Sequence, residues 1–227
     1  MNEVFRRRRQ AAEKDVTAPA ADEASGPVRE SGPWDADEAH PETERVDLGG
    51  LRLPIGSGFE VQLNVAGDTI VGAVVLVNES ALQVHAFAAP KRNGIWGEVR
   101  ADLARELTGA GGSCEEQEGP FGPELAARIK QEGELQPVRF LGVDGPRWFL
   151  RGVISGRAIA DPEAAKVLED VMRDIVVVRG DQPMAPKEPI ELRLPAEARQ
   201  AVEEEAAKDG RPLLDPFHRG PEITEVR

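Results

Sequence analysis

Three β-rich runs, Phe59 to Val65, Thr69 to Val77 and Leu82 to Phe87, follow one another with only Ala66-Gly67-Asp68 and Asn78-Glu79-Ser80 between them. Both connectors are turn sequences, because Gly, Asp and Asn tolerate the backbone angles of a tight reversal. Neither is long enough for the crossover that parallel strands need. The runs therefore predict an antiparallel meander. Ahead of them, Val46-Asp47-Leu48 and Leu51-Arg52-Leu53-Pro54-Ile55 alternate apolar with polar residues and read as an edge strand or two.

The period changes at Ile95. Ile95, Trp96, Val99, Leu103 and Leu107 fall on one helical face, the charged residues lie elsewhere, and Gly109 ends the run. Gly109 to Gly112 reads as a flexible turn before the acidic stretch Glu115-Glu116-Gln117-Glu118. Pro123 then starts a short helix to about Lys130, with Leu125 and Ile129 inward. Val138 to Val143 and Arg147 to Ile154 form a second hairpin around Asp144-Gly145, a pair suited to positive φ. A helix follows with Asp161 as N-cap, Pro162 at its first position, and Ala164, Leu168, Val171 and Ile175 on one stripe. Val176-Val177-Val178 reads as a buried strand, Ile190 to Leu194 as one more, and Ala196 to Lys208 as a surface helix. Strands run in groups and do not alternate singly with helices. The fold class is thus α+β: an antiparallel sheet, meander plus hairpin, packed by two long helices. Each half sets strands before a helix and a strand after it, which leaves a degenerate internal duplication open.

Residues 1 to 44 carry only Val4, Phe5, Val16, Val28 and Trp34 as larger apolar side chains, too few to offset the entropy of ordering. They are expected to form a disordered acidic arm with a basic start, Arg6 to Arg9. Residues 45 to 195 form the single domain, and residues 196 to 227 a surface helix with a loose tail. With aromatics at 4% and no tyrosine, Val, Leu, Ile and Ala supply most of the core. Trp96 and Trp148, each on the apolar side of its element, are expected inside it.

Charge and motifs narrow the function more by exclusion than by assignment. A net charge of −13 opposes non-specific binding to a phosphate backbone. Cys114 is the only cysteine, so no intramolecular disulfide and no cysteine-based zinc site forms, and a reducing, cytoplasmic setting is expected. No apolar run is long enough to span a bilayer, and Arg6 to Arg9 lack the apolar segment of a signal peptide. Gly109-Ala110-Gly111-Gly112-Ser113 follows a helix and precedes carboxylates, which is a helix exit and not a phosphate loop. His40, His85 and His218 lie too far apart in sequence to share a helix face, and His85 reads as a half-exposed strand histidine. The carboxylates flanking Cys114 disfavour its thiolate, and no Gly-x-Ser-x-Gly elbow is present. No catalytic residue, cofactor site or metal site is assigned.

Two segments stand out. Gly119-Pro120-Phe121-Gly122-Pro123 holds one phenylalanine between two glycines and two prolines, so Phe121 either folds back as a staple or stands out as a recognition anchor. Arg139, Arg147, Arg151 and Arg157 interleave with Phe140, Trp148 and Phe149. On the second strand of the hairpin, Trp148 and Leu150 point to one face and Arg147 and Arg151 to the other. That pattern suits a core face backed by a solvated basic face, and also a surface that binds an anionic group.

The motifs Leu51-Arg52-Leu53-Pro54, Trp96-Gly97-Glu98-Val99-Arg100, Gly119-Pro120-Phe121-Gly122 and the run from Asp144 to Gly152 resemble the actinobacterial domain-of-unknown-function family numbered 3710, over roughly residues 45 to 195. The resemblance implies a bacterial cytoplasmic protein and carries over no catalytic residue. The expected role is therefore a non-catalytic interaction or adaptor module that binds a protein partner. Its expected contacts are Phe121, Arg139, Arg147 and Arg151. A nucleotide or nucleic-acid binder and an enzyme with a dispersed site are the alternatives.

Overall fold

The computed structural model describes residues 31–195 apart from 67–68, 92–93 and 132. The chain runs β1 (Trp34–Asp35), β2 (Arg45–Asp47), β3 (Leu51–Pro54), β4 (Glu60–Ala66), β5 (Thr69–Val77), β6 (Ser80–Ala88), α1 (Trp96–Gly109), β7 (Ser113–Gly119), β8 (Gly122–Gln131), β9 (Glu134–Gly145), β10 (Trp148–Gly156), a 3-10 turn at Arg157–Ile159, α2 (Pro162–Asp174) and β11 (Val176–Val177). Seven strands form one sheet in the order β4-β5-β6-β10-β9-β8-β7, antiparallel throughout. A smaller sheet takes the order β1-β11-β3-β2. The architecture is α+β, as the grouping of strands implies. Among the described residues, no helix is long and apolar enough to cross a membrane.

The large sheet buries both faces over part of its width. Leu82 and Val84 of β6, Leu141 of β9, and Trp148, Leu150 and Ile154 of β10 meet Leu168, Val171 and Met172 of α2 and Leu51, Leu53 and Val177 of the small sheet. On the opposite face, Leu125 and Ala127 of β8, Val138 and Phe140 of β9 and Phe149 of β10 lie under α1 with Ile95 and Trp96. Side chains of a strand alternate between faces, and β6 shows it without exception, every second residue from Ser80 to Ala88 being buried. Close approach of the helices depends on absent side chains. A Cβ at Gly142 would lie 2.2 Å from the Trp96 ring, and one at Gly152 would lie 2.8 Å from Met172 Sδ.

Both helices start where donors are met. Asp161 accepts from the backbone of Glu163 and Ala164 at the head of α2. Ile95 at the head of α1 has no capping side chain, and Asp144 of β9 does that work instead, accepting from Ile95 N at 2.7 Å and from Trp96 N. Asp144 and Gly145 therefore belong to the strand. The expected hairpin turn moves two residues on, to Pro146-Arg147, closed by the Gly145–Trp148 pair, with Arg147 at φ 63. Proline first and positive φ second is the pattern of a type II turn.

Further expectations are corrected. The segment Pro123 to Lys130 is not a helix: it is most of β8, paired to β7 on one side and β9 on the other. The acidic stretch from Glu115 to Glu118 lies in the edge strand β7. Residues 31 to 44, read as arm, include β1, whose Trp34 and Asp35 pair with Val176 and Val177. There the Trp148 indole donates to the buried Asp35 carboxylate at 2.5 Å. Ile190 to Leu194 forms isolated bridges and not a strand, its Ile190 and Leu192 bonding to Ala86 and Ile70 in a strap across β5 and β6. The expectations for residues 1 to 30 and 196 to 227, including the helix from Ala196 to Lys208, lie outside the described residues.

Candidate functional site

Side-chain alternation sorts the four arginine and aromatic candidates onto different surfaces. Arg139 pairs in register with Ile154, so it points to the α2 face. There its guanidinium holds Glu124 in a two-pronged bond, at 2.8 and 2.9 Å, and Glu169 of α2 at 2.9 Å. Glu124 has only 2% of its side chain exposed and also accepts from Gln117. The Glu124 hydrogen bonds, helped by those to Glu169, hold Arg139 above its ordinary pKa against its own desolvation. Phe121 is on the same side. It tops the β7–β8 turn and folds back half-buried onto the core, with the Arg173 guanidinium 5.3 Å from its ring centre. Glu169 and Arg173 are one helical turn apart, so α2 brings Arg139 and Phe121 together, each already occupied by a structural partner. Arg147 sits in the hairpin turn, where its carbonyl accepts from Ala89 N.

Arg151 is separate. It pairs with His85 on one side and Gly142 on the other, and Gly142 is where the Trp96 ring rests, so Arg151 points to the α1 face. The phenyl ring of Phe87 lies 5.3 Å from its guanidinium carbon. Its Nε is buried without an acceptor, and the guanidinium forms no hydrogen bond or ion pair among the described residues. Burial lowers its pKa from the ordinary value, and the Glu106 carboxylate works in the opposite direction. Beside it opens a cleft of about 190 Å³ between α1 and the sheet. Ile95, Val99 and Leu103 line the helix side and Phe87 and Phe149 the sheet side. Asp102 and Glu106, one turn apart on α1, complete the wall with Lys187, whose ammonium is held by Glu98 and Asp102.

From Arg151 a row of polar side chains runs across the same face of the sheet. Asn64 pairs with Gly72, a Cβ on Gly72 would come 2.6 Å from the His85 ring, and His85 pairs with Arg151. Asn64 Nδ2 and His85 Nδ1 are buried without partners, like Arg151 Nε. Burial, and after it the Arg151 charge, depress the His85 pKa to about 4, so its imidazole is neutral near pH 7. α1 packs on β7, β8 and β9, and the same face of β4, β5 and β6 carries half-buried Val74, Leu76 and Gln83.

The α2 face also has larger depressions, of about 390 and 310 Å³, which share Gln117, Arg139 and Ile159. Their cations are the engaged Arg139 and, in the larger one, the exposed Arg128. Among the described residues, no group of three His, Cys, Asp or Glu side chains is placed to hold a metal ion. The alternation rule applied to Arg147 to Arg151 identifies the face of Arg151. His85 and Asn64 as its neighbours depend on which strands adjoin, and no local signal carries that.

Comparison with known proteins adds a family and two distant structures. The family model described as "Protein of unknown function (DUF3710)" matches residues 32–201. No curated protein matches the chain. Cyanobacterial PsbP (CyanoP) from Synechocystis sp. PCC 6803 aligns at a TM-score of 0.40 and 11% identity, covering 59% of this chain and 91% of that one. LpqN, involved in cell envelope biogenesis of Mycobacterium tuberculosis, aligns at 0.30 and 11% identity, covering 56% and 83%.

Proposed function

The chain belongs to the DUF3710 family, a membership that brings no activity with it, and from its site we propose a non-catalytic interaction module of the cytoplasm that holds a protein partner at the α1 cleft. Arg151 carries this reading. A half-buried guanidinium with no acceptor is unfavourable to the fold, since its desolvation is not offset by a pair. It stands at the edge of an apolar cleft, and aromatic and arginine groups of this kind anchor interfaces. The binding role expected for Phe121 and Arg139 weakens, because Arg173 and the two glutamates already engage them. Arg147 remains a secondary contact at the hairpin turn. A polyanionic partner is disfavoured by the Asp102 and Glu106 carboxylates in the same wall.

The full chain, used as bait in its native cell extract, tests the reading together with Arg151→Glu. The expected result is a protein partner retained by the parent and released by the variant, with no loss of melting temperature. Equal retention by both would remove the cleft from the interface. Nucleic acid retained in place of protein, and lost in the variant, would replace this reading with the nucleic-acid alternative.

A further inference from the structure

The chemistry of the cleft restricts what its occupant carries. Arg151 offers planar N–H donors that match a carboxylate in two-pronged fashion. Phe149 lies two residues away on the same strand face, so the apolar floor starts about 7 Å from the cation. Val99 and Leu103 form the opposite wall. An occupant that satisfies both parts joins an anion and an apolar side chain over a short span. Asp102 and Glu106 add a third requirement. Both disfavour a doubly charged phosphate; Asp102 is taken up by Arg105 and Lys187, which leaves the Glu106 carboxylate to accept from an N–H next to the anion. A carboxylate, an apolar side chain and an N–H on one carbon describe the last residue of a polypeptide.

Arg151 also heads a row of half-buried side chains on the same face of the sheet. Beyond Arg151 the row passes His85 and Gly72 to Asn64, where α1 does not reach, and the half-buried Val74, Leu76 and Gln83 flank it. That distance, from β10 to β4, is three strand spacings, roughly 14 Å. It matches the length of about four extended residues, those that precede a chain terminus. A free amino acid would leave it unused.

We propose that the α1 cleft binds the C-terminal residue of a polypeptide partner, its carboxylate on Arg151, its apolar side chain between Phe149 and Leu103, and its amide N–H toward Glu106. This rests on the reading of Arg151 as a partner contact and names the chemistry of that contact.

The test uses the full chain with its Val and Leu methyl groups labelled for NMR. The probes are a short peptide ending in leucine with a free carboxylate, the same peptide amidated, free leucine, and inorganic phosphate. The expected result is a saturable shift of the Val99 and Leu103 methyls with the free-acid peptide. Binding of the amidated peptide should be weaker by about tenfold or more, as the loss of a charged hydrogen bond implies. Free leucine should bind more weakly than the peptide, and phosphate should leave these methyls unmoved. Arg151→Gln should erase the difference between acid and amide without lowering the melting temperature. Equal binding of acid and amide, or no shift with either at millimolar concentration, overturns the proposal. Tighter binding of free leucine overturns the polypeptide as source, and a phosphate response overturns the carboxylate. The two readings also fail separately. If Arg151→Glu releases the native partner while the terminal peptides show no preference, the interaction module stands and the terminal-residue chemistry falls. If the variant keeps the partner, both fall.

Discussion

Arg139 and Arg151 come from the two strands of one hairpin, and their surroundings give them opposite effects on stability. Arg139 closes a network in which the buried Glu124 has its charge matched. Arg139→Leu should therefore cost about 3–5 kcal/mol, because an unpaired carboxylate stays inside. Arg151 has no such partner, so Arg151→Leu removes a desolvation penalty and extends the apolar wall. It should stabilise the protein by roughly 1 kcal/mol, a rise in melting temperature of about 2–4 °C. Thermal unfolding of the two variants beside the parent decides the matter, and a fall with Arg151→Leu would mean that the guanidinium is a structural group. His85 adds a dependence on pH. Its folded pKa, about 4, lies below the unfolded value of 6.5, so in that window the unfolded chain binds the extra proton. The His85 contribution is constant above pH 6.5 and is lost as the pH falls toward 4. Denaturant midpoints followed through the window should decline less steeply in His85→Gln than in the parent, and parallel declines would remove His85 as the cause.

The elements divide by whether one period or two can describe them. α1, α2 and the meander were legible because their apolar residues fit a single repeat, with Asp161-Pro162 marking one helix start and short turn sequences separating β4, β5 and β6. β8 fits two. Leu125 and Ile129 stand four apart among good helix formers, yet Leu125, Ala127 and Ile129 also alternate, and it is this second pattern that meets Trp96 and Phe140 beneath α1. Pairing on both edges settled the choice, and both pairings are contacts that a local pattern does not show. β7 was obscured for a different reason. An edge strand protected by charge has no apolar alternation to read, and Glu115, Glu116 and Glu118 are such a protection. At the second hairpin Asp144-Gly145 has the right composition for a turn. Its carboxylate is required instead at the head of α1, and Pro146-Arg147 makes the reversal. The candidate site followed the same division. The face of Arg151 was readable from alternation alone, whereas the occupied state of Phe121 and Arg139 depends on α2 lying beside them.

In the molecule as a whole, the small sheet ties residues 34–54 to residues 176–177. β1 pairs in parallel with β11, so residues near 34 and near 176 close one side of the core over α2 and the α2 face of the large sheet. The contact is more than backbone, since Asp35 accepts from the Trp148 indole and Arg45 binds Asp174 at 2.5 Å. Composition alone assigned residues 31 to 44 to a disordered arm, because one buried carboxylate and one parallel bridge leave no signature in apolar content. Trp34 N donates to Ile175 O and Ala36 N to Val177 O, so both amides should exchange slowly, and hydrogen exchange should show protection there. Two truncations then separate the segment's role from that of the preceding residues. A chain starting at Ser31 keeps these contacts, while one starting at Arg45 lacks the Asp35 carboxylate to which the buried Trp148 indole donates. Loss of a hydrogen bond to a charged group costs about 1.5–3 kcal/mol before any loss of packing. Asp35→Ala in the full chain should reproduce that part of the effect. If the chain starting at Arg45 melts together with the one starting at Ser31, β1 is dispensable and the domain begins at β2. A difference matched by Asp35→Ala places the carboxylate among the groups that hold Trp148, and with it the hairpin that carries Arg151, in position.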